Sequence, residues 1–176
     1  PTDLQGKNSR GGLAGNQDVQ QPLRLHRIAR EAGMTNYDIK SLNPQREPIL
    51  LVDALVGVEG DMARTQLTVR RDNSFVGDDG LLAEPGLIEH IAQSASAFAG
   101  YKAMEAGASE PPVGYIGEVK KFRCFRCPRV GEELQTTVTF GPEVGGVSLL
   151  TGETCVGEET LACTQMKIYV AEGSLL

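Results

Sequence analysis

Apolar and polar residues alternate along much of the chain, with the period of two that is typical of strands with one buried face. The segment "RTQLTVRR" at residues 64–71 shows this pattern. Groups of turn-forming residues, rich in glycine, proline and aspartate, separate the alternating segments. The pattern predicts six strands, at residues 49–58, 64–71, 113–126, 132–141, 146–156 and 160–170.

One segment follows a different period. In residues 85–107, apolar side chains recur every three or four positions, as in a helix. Pro85 suits the first turn of this helix, and Gly107 suits its end. Alanine and serine are dense between residues 92 and 99, so a sheet could wrap the helix closely. Two strands, one long helix and four further strands predict an α+β fold, in which an antiparallel sheet carries the helix on one face.

The first part of the chain has a different character. Residues 1–20 are polar, rich in glycine and without periodicity. Residues 22–33 have the pattern of a short amphipathic helix. We therefore expect a flexible N-terminal extension over residues 1–35 and a folded domain over residues 36–172.

Composition and charge narrow the classes of function. Of the 176 residues, 40% are hydrophobic, which is enough for one globular core. The net charge of −6 argues against nucleic acid or an anionic membrane as the main partner, because phosphate groups bind to basic surfaces. It also disfavours docking of an acidic carrier protein unless the basic residues are clustered. No segment has the ~20 apolar residues that span a bilayer, and no secretory signal is evident, so we expect a cytoplasmic protein.

The chain contains four cysteines. Cys124 and Cys127 have CxxC spacing, but no second such pair and no nearby histidine completes a zinc site. Because these residues are predicted to lie in a strand, their side chains should point to opposite faces. We expect structural cysteines in a reducing compartment, and no metal.

Glu89 departs from the apolar pattern at the start of the helix, where leucine and isoleucine surround it. Gln93 follows one turn later on the same face. Glu89 is either an exposed acid that complements the helix dipole or a partly buried acid that exchanges a proton with a substrate. His90 points about 100° away around the helix, and we expect it at the surface or in a dimer contact.

Two further places are candidates for chemistry. Gly86 lies at the helix N-terminus, where backbone N–H groups lack partners and a glycine would let a ligand carbonyl approach. The alternative for Gly86 is a simple turn residue. Asp78 and Asp79 either form a tight turn, which aspartate and glycine favour, or one of them faces Glu89 across a cleft.

Three segments resemble, in order, motifs of hotdog-fold 3-hydroxyacyl-acyl-carrier-protein dehydratases. "LNPQREPILLVDAL" is similar to that family's Leu-Pro-His-Arg-x-Pro-x-Leu-Leu-Val-Asp. "PGLIEHIAQSASAFAG" resembles its Pro-Gly and Glu-x-x-Ala-Gln helix, and "GYIGEVKKFRCFRCPRVGEEL" resembles one of its strands. The resemblance covers residues 38–170, and the matched positions include Arg46, Pro48, Asp53, Pro85, Gly86, Glu89, Gln93, Gly117, Phe122 and Gly131.

The resemblance implies a sheet wrapped around one helix, and a dimer with two active sites at its interface. Members of the family eliminate water from 3-hydroxyacyl thioesters carried on the phosphopantetheine arm of acyl carrier protein, with no metal or other cofactor. A histidine of one subunit and an acid on the helix of the other act together. On this chain the resemblance implies Glu89 as the acid and Gly86 N–H as the donor to the thioester carbonyl. It also implies that Pro85, Gln93 and Gly117 bind substrate.

The chain departs from the family at the catalytic histidine, which belongs to a Gly-His-Phe-Pro motif before the helix. Asp78 stands at the nearest counterpart, and the two histidines, His26 and His90, are wrongly placed to replace it. In this respect the chain is similar to variant dehydratase-like subunits found beside aryl-polyene and related lipid pathways. An aspartate is a poor base for removing the α-proton of a thioester unless it is desolvated.

Three functions are therefore open. The first is dehydratase-like action on acyl thioesters in fatty-acid or polyene lipid synthesis, in which a histidine-bearing hotdog subunit completes one site of a heterodimer. A homodimer is the alternative assembly. The second is a thioesterase for acyl-CoA or acyl-carrier-protein substrates, in which Asp78 or Asp79 and Glu89 activate water. The third is a non-catalytic hotdog subunit.

Overall fold

The computed structural model describes residues 37–170, apart from the side chain of Val170. The predicted N-terminal extension with its short helix, residues 1–35, lies outside the described residues, and so does His26. The described elements follow the predicted order, preceded by one additional short helix. They are α1 (Ile39–Leu42), β1 (Ala54–Glu59), β2 (Met62–Thr68), α2 (Glu84–Glu105), β3 (Gly114–Cys124), β4 (Glu133–Val144), β5 (Val147–Val156) and β6 (Glu159–Val170).

The six strands form one antiparallel sheet in the order β1-β2-β4-β5-β6-β3. The long helix α2 contacts five of them, β1 to β5, so the sheet curves around it. The predicted α+β fold, an antiparallel sheet around one long helix, is confirmed.

Small residues allow the sheet and α1 to approach α2 closely. A Cβ on Gly152 of β5 would collide with the side chain of Ile91 in α2. A Cβ on Gly100 of α2 would collide with the backbone carbonyl of Leu42 in α1. The hydroxyls of Ser94 on α2 and Thr65 on β2 lie 2.6 Å apart, and both residues are buried. The density of small residues in α2 therefore reflects close packing on several sides, as the sequence predicts.

The segment before β1 differs from the prediction. The apolar run at residues 49–58 predicts a strand, whereas β1 begins only at Ala54. Leu50, Leu51 and Val52 are buried in the core as expected. The backbone N–H of Leu51, however, donates to a side chain of α2 and not to a neighbouring strand. This part of the chain is therefore attached to the helix.

β3 forms one edge of the sheet. Its pairing with β6 is interrupted by two irregularities, one after Ile116 and one after Lys120. Lys121, in the second irregularity, has a left-handed backbone with φ of 50°. Large apolar side chains are exposed along this strand: Tyr115, Ile116 and Val119. The first half of β3 thus presents an apolar edge that no strand of the described chain covers.

Candidate active site

A cavity of about 260 Å³ lies along one face of α2. Glu89, Ala92, Ser96 and Ala99 line it at three- and four-residue steps, which spans about 15 Å of helix axis. Residues 112–116, the two residues before β3 and the first three of β3, form another part of the lining, together with Phe140 and Ile168. Among the described residues, Glu89 is the one carboxylate that lines this mostly apolar cavity. A mostly apolar cavity of this volume, with one carboxyl group in its lining, is suited to an acyl chain with a reactive head.

Gln93 holds the Glu89 carboxylate. Its side-chain Nε2 donates to Glu89 Oε1 at 2.8 Å and to the Ile49 carbonyl at 2.9 Å. Its Oε1 accepts from the Leu51 N–H at 2.7 Å. Gln93 is 1% exposed, and these bonds use both N–H groups and the oxygen of its amide. Glu89 is half-buried, so the second interpretation of this residue, a partly buried acid, agrees with its environment.

Gln45 is a cavity-lining residue that sequence reasoning missed. Its Oε1 is buried and has no hydrogen-bond partner among the described residues. Gln45 belongs to the segment "LNPQREP", whose resemblance to the family motif was the available signal. The resemblance shows that the residues follow the family motif in order, but it does not show which side chain of the segment reaches the cavity.

The expectation that His90 lies at the surface or in a dimer contact is wrong. His90 is fully buried, with its Nδ1 2.5 Å from the Leu51 carbonyl and its Nε2 2.7 Å from Thr136 Oγ1. Burial lowers the pKa of His90 to about 4, although the hydrogen bond to Leu51 and the charge of Asp53 act in the opposite direction. The prediction failed because the segment before β1 and strand β4 cover the flank of α2 that carries His90, so pointing away from Glu89 did not mean pointing into water.

Asp78 and Asp79 are exposed and lie in a turn between β2 and α2. The Asp79 carboxylate accepts from the Leu81 N–H at 3.0 Å, and the Gly80 N–H donates to the Gly77 carbonyl at 2.9 Å. These bonds fit the tight-turn interpretation. Neither aspartate is among the residues that line the cavity with Glu89. Their catalytic role therefore stays a prediction that this arrangement does not support.

Packing explains the glycine at position 86. A Cβ there would lie 2.7 Å from the side chains of Leu82 and Phe75. The Gly86 N–H already donates to the Ala83 carbonyl at 2.8 Å, so a thioester carbonyl would have to share or replace that bond. Pro85 is exposed at the same helix end. The substrate-binding roles of Pro85 and Gly86 stay predictions.

Gly117 lies at the first irregularity of β3. A Cβ there would collide with the ring of Tyr169 on β6, so the glycine makes room for this aromatic side chain. Gly117 is adjacent to the cavity-lining residues Tyr115 and Ile116 but is not one of them. Its predicted contact with substrate is therefore indirect in this arrangement.

The cysteine pair does not lie within one regular strand. β3 ends at Cys124, and Cys127 follows in a loop. Burial, and after it the neighbouring Cys127 thiol, raises the pKa of Cys124 to about 11. The prediction that both cysteines lie in one strand is wrong, and with it the basis for opposite orientations of their side chains. A thiol with a raised pKa is a poor nucleophile, which agrees with structural cysteines. Within residues 37–170, no cluster of three potential metal ligands is found.

An antiparallel sheet that curves around one long helix, with a cavity along that helix, defines the hotdog class of proteins. The chain belongs to the ApeP-like dehydratase family, because the family model for ApeP dehydratase matches residues 37–175. No curated protein sequence matches the chain significantly. No helix of the described part is long and apolar enough to cross a membrane.

Several solved structures share the fold. The dehydratase heterocomplex ApeI:P from Xenorhabdus doucetiae matches with a TM-score of 0.73 and 19% identity, covering 80% of this chain and 95% of that chain. Cj0977, a sigma28-regulated virulence protein from Campylobacter jejuni, matches with a TM-score of 0.58 and 12% identity, covering 80% and 100%. A hypothetical thioesterase with coenzyme A from Streptococcus pneumoniae matches with a TM-score of 0.52 and 9% identity, covering 66% and 84%.

Proposed function

We propose that this chain is the acid-bearing subunit of a hotdog dehydratase that removes water from 3-hydroxyacyl thioesters. The observation that carries the proposal is the Glu89 carboxylate, which lies in an apolar cavity and is held at 2.8 Å by Gln93. A carboxyl group fixed beside an acyl-sized cavity can exchange a proton with a bound substrate. Membership of the ApeP-like dehydratase family supports the same reaction class.

The reaction needs two proton transfers. A base removes the α-proton at C2, the electron pair of that C–H bond forms the C2–C3 double bond, and the C3–O bond breaks. Glu89 gives its proton to the departing hydroxyl, which leaves as water. Glu89 ends as a carboxylate and the base ends protonated, so one proton must return to Glu89 before the next cycle.

The base comes, in this proposal, from a second subunit. Among the described residues that line the cavity, none besides Glu89 is a carboxylate, a histidine or a lysine. Val113, Tyr115 and Ile116 line the cavity and are also exposed at the free edge of the sheet. A hotdog subunit that pairs with β3 would cover this edge and the open side of the cavity together. A histidine on that subunit would then supply the base that this chain lacks.

The substrate carrier is proposed to be acyl carrier protein. The chain is acidic overall, but exposed basic side chains are concentrated around the end of β3: Lys121, Arg123 and Arg129. Within residues 37–170 no ion pair is found for Lys121 and Arg123. The charge of Arg129 acts on Glu132, and Arg126 is paired with Glu132 and Glu159. A local basic cluster on an acidic protein favours an acidic partner at that place, because complementary charges steer association.

The test is a product assay on a co-purified complex. The chain is co-expressed with a hotdog subunit that carries the family's histidine, and the complex is incubated with a 3-hydroxyacyl thioester on carrier protein. The proposal expects a stable complex that forms the 2-enoyl thioester and releases no free thiol. Release of free thiol would instead indicate the thioesterase, for which the exposed position of Asp78 and Asp79 gives no support. A complex that forms neither product would contradict the proposal and favour a non-catalytic subunit.

A further inference from the structure

His90 and Gln93 hold the same residue of the segment before β1 from two sides. His90 Nδ1 lies 2.5 Å from the Leu51 carbonyl, and Gln93 Oε1 accepts from the Leu51 N–H at 2.7 Å. Gln93 then donates to Glu89 at 2.8 Å. All three side chains belong to α2, yet the hydrogen bonds that connect the side chains of His90 and Glu89 run through the backbone of Leu51. The position of Leu51 therefore affects the position of the Glu89 carboxylate.

The protons in this network can be assigned from the partners. A backbone carbonyl only accepts, so His90 Nδ1 must carry a proton and donate to Leu51. In the neutral ring Nε2 then accepts, and its partner, the Thr136 hydroxyl, donates at 2.7 Å. Thr136 Oγ1 can in turn accept from the Thr154 hydroxyl, 2.8 Å away. Every polar atom of the imidazole is thus satisfied in one tautomer.

We propose that His90, as the neutral Nδ1–H tautomer, is a positioning residue that sets Leu51, and through Leu51 and Gln93 the catalytic carboxyl of Glu89. The catalytic role of Glu89 in this statement rests on the proposed function. Nε2 is committed to Thr136, and the ring is fully buried, so His90 does not touch a substrate in the cavity. His90 contributes by fixing the position of the Glu89 carboxyl group.

Burial supports this protonation state. A charged imidazolium in a fully buried site would lack water, and it would require the Thr136 hydroxyl to change from donor to acceptor. Asp53 is the charged group that raises the pKa of His90, and its carboxylate already binds Arg70 and the Thr68 N–H. The ring therefore stays neutral at the pH at which a thioester dehydratase would be assayed.

Two substitutions separate the two arms of the network. His90→Asn keeps an N–H near the position of Nδ1, so it retains the donor to Leu51 and loses the contact with Thr136. His90→Gln keeps an amide group near the position of Nε2, so it retains the contact with Thr136 and loses the donor to Leu51. Both variants replace a buried imidazole by a buried amide, and each serves as the control for the other.

The assay uses the complex with the histidine-bearing subunit and separates kcat from KM. We expect His90→Gln to lower kcat about 10- to 100-fold with little change in KM, because a displacement of about 1 Å at a catalytic group can cost about 100-fold. We expect His90→Asn to stay within a few-fold of the unsubstituted complex. Equal losses in both variants, or a larger loss in His90→Asn, would overturn the inference.

A spectroscopic measurement of the His90 tautomer tests the inference if the variants fail to fold or if the complex proves inactive. Long-range ¹H–¹⁵N correlation spectra of the unsubstituted full chain should show His90 with Nδ1 protonated and Nε2 unprotonated, unchanged between pH 7.5 and 5.5. The opposite tautomer, or titration in that range, would overturn the inference. An inactive unsubstituted complex would contradict the proposed function alone, because the tautomer is measured without substrate.

Discussion

The side-chain amide of Gln93 donates to the Glu89 carboxylate across 2.8 Å, from one helical turn further along α2. The same amide also binds the Ile49 carbonyl and the Leu51 N–H, so the carboxylate shares its support with the segment before β1. This hydrogen bond holds one carboxylate oxygen of Glu89, which lines the cavity. Position 93 therefore links the stability of the fold to the geometry of the site.

Replacing Gln93 should lower both the stability of the fold and the activity of the site. Gln93→Leu leaves the buried Leu51 N–H and the partly buried Ile49 carbonyl without these partners, and a buried group left without a partner costs about 1–3 kcal/mol. We expect a lower free energy of unfolding, measured by urea denaturation, together with a lower kcat in the complex. Gln66→Leu is the control, because it removes an amide from a half-buried position on β2 away from the cavity. A Gln93→Leu protein with unchanged stability and kcat would contradict the role of this residue.

His90 makes stability depend on pH. Its pKa is lowered from 6.5 to about 4 in the folded protein, so between these values the unfolded chain binds a proton that the folded chain does not. Stability is therefore fully present above pH 6.5 and is lost as the pH falls toward 4. The loss between pH 7.5 and pH 5 should be about 2 kcal/mol. Urea denaturation at both pH values measures it, and the His90→Asn variant should show a smaller difference if His90 is the cause.

Gly100 offers a test of close packing in the fold. Within a helix, replacing glycine by alanine normally stabilises a protein by about 1 kcal/mol. Here a Cβ would collide with the Leu42 carbonyl of α1, which is backbone and cannot rotate away. We expect Gly100→Ala to destabilise the protein by about 1–3 kcal/mol, as overpacking usually does. A gain in melting temperature would show that α1 does not press on α2 as described.

The small residues along the cavity should limit the length of the acyl chain. Ala92, Ser96 and Ala99 line the cavity at increasing distance from Glu89. A leucine at position 99 should reduce kcat/KM for long acyl thioesters only, a leucine at 96 should also affect shorter ones, and a leucine at 92 should affect all. A series of substrates that differ only in chain length measures this order. An equal loss for every chain length in all three variants would mean that the acyl chain does not follow α2.

The basic cluster near the end of β3 should contribute to binding of the acyl carrier protein. Charge reversal at Lys121 and Arg123 should lower kcat/KM for an acyl group on carrier protein, and leave kcat/KM for the same acyl group on free pantetheine nearly unchanged. Gel filtration of the variant complex controls for loss of the partner subunit. Equal effects on both substrates would remove the support for carrier docking at this cluster.

Periodicity predicted most of the fold, because the chain alternates cleanly where strands have one buried face. It failed at residues 49–53, where Leu51 is as apolar as a strand residue but its backbone binds Gln93 and His90. No property of the segment itself reveals this, since the partners lie about 40 positions later in the sequence. His90 was misplaced for a related reason: periodicity describes one apolar face, and α2 is buried on more than one.

The site was partly predictable. Glu89 and Gln93 stood out as polar residues on an apolar helix, and the structure brings them together at the cavity. Asp78 and Asp79 are near α2 in sequence, but turn hydrogen bonds hold them in an exposed loop. The resemblance predicts a histidine on a second hotdog subunit as the base, and this stays a prediction, because the residues of such a subunit are not part of this sequence.

The most direct test of the account compares Glu89→Gln with Glu84→Gln in the complex with the histidine-bearing subunit. Both substitutions remove one carboxylate from α2, but Glu84 is exposed in the first turn and does not line the cavity. If Glu89 is the acid, Glu89→Gln should lower the rate of 2-enoyl thioester formation at least about 100-fold, the lower range for general acid catalysis, while Glu84→Gln should change it less than about twofold. Equal rates in the two variants would contradict the assignment of Glu89 as the acid.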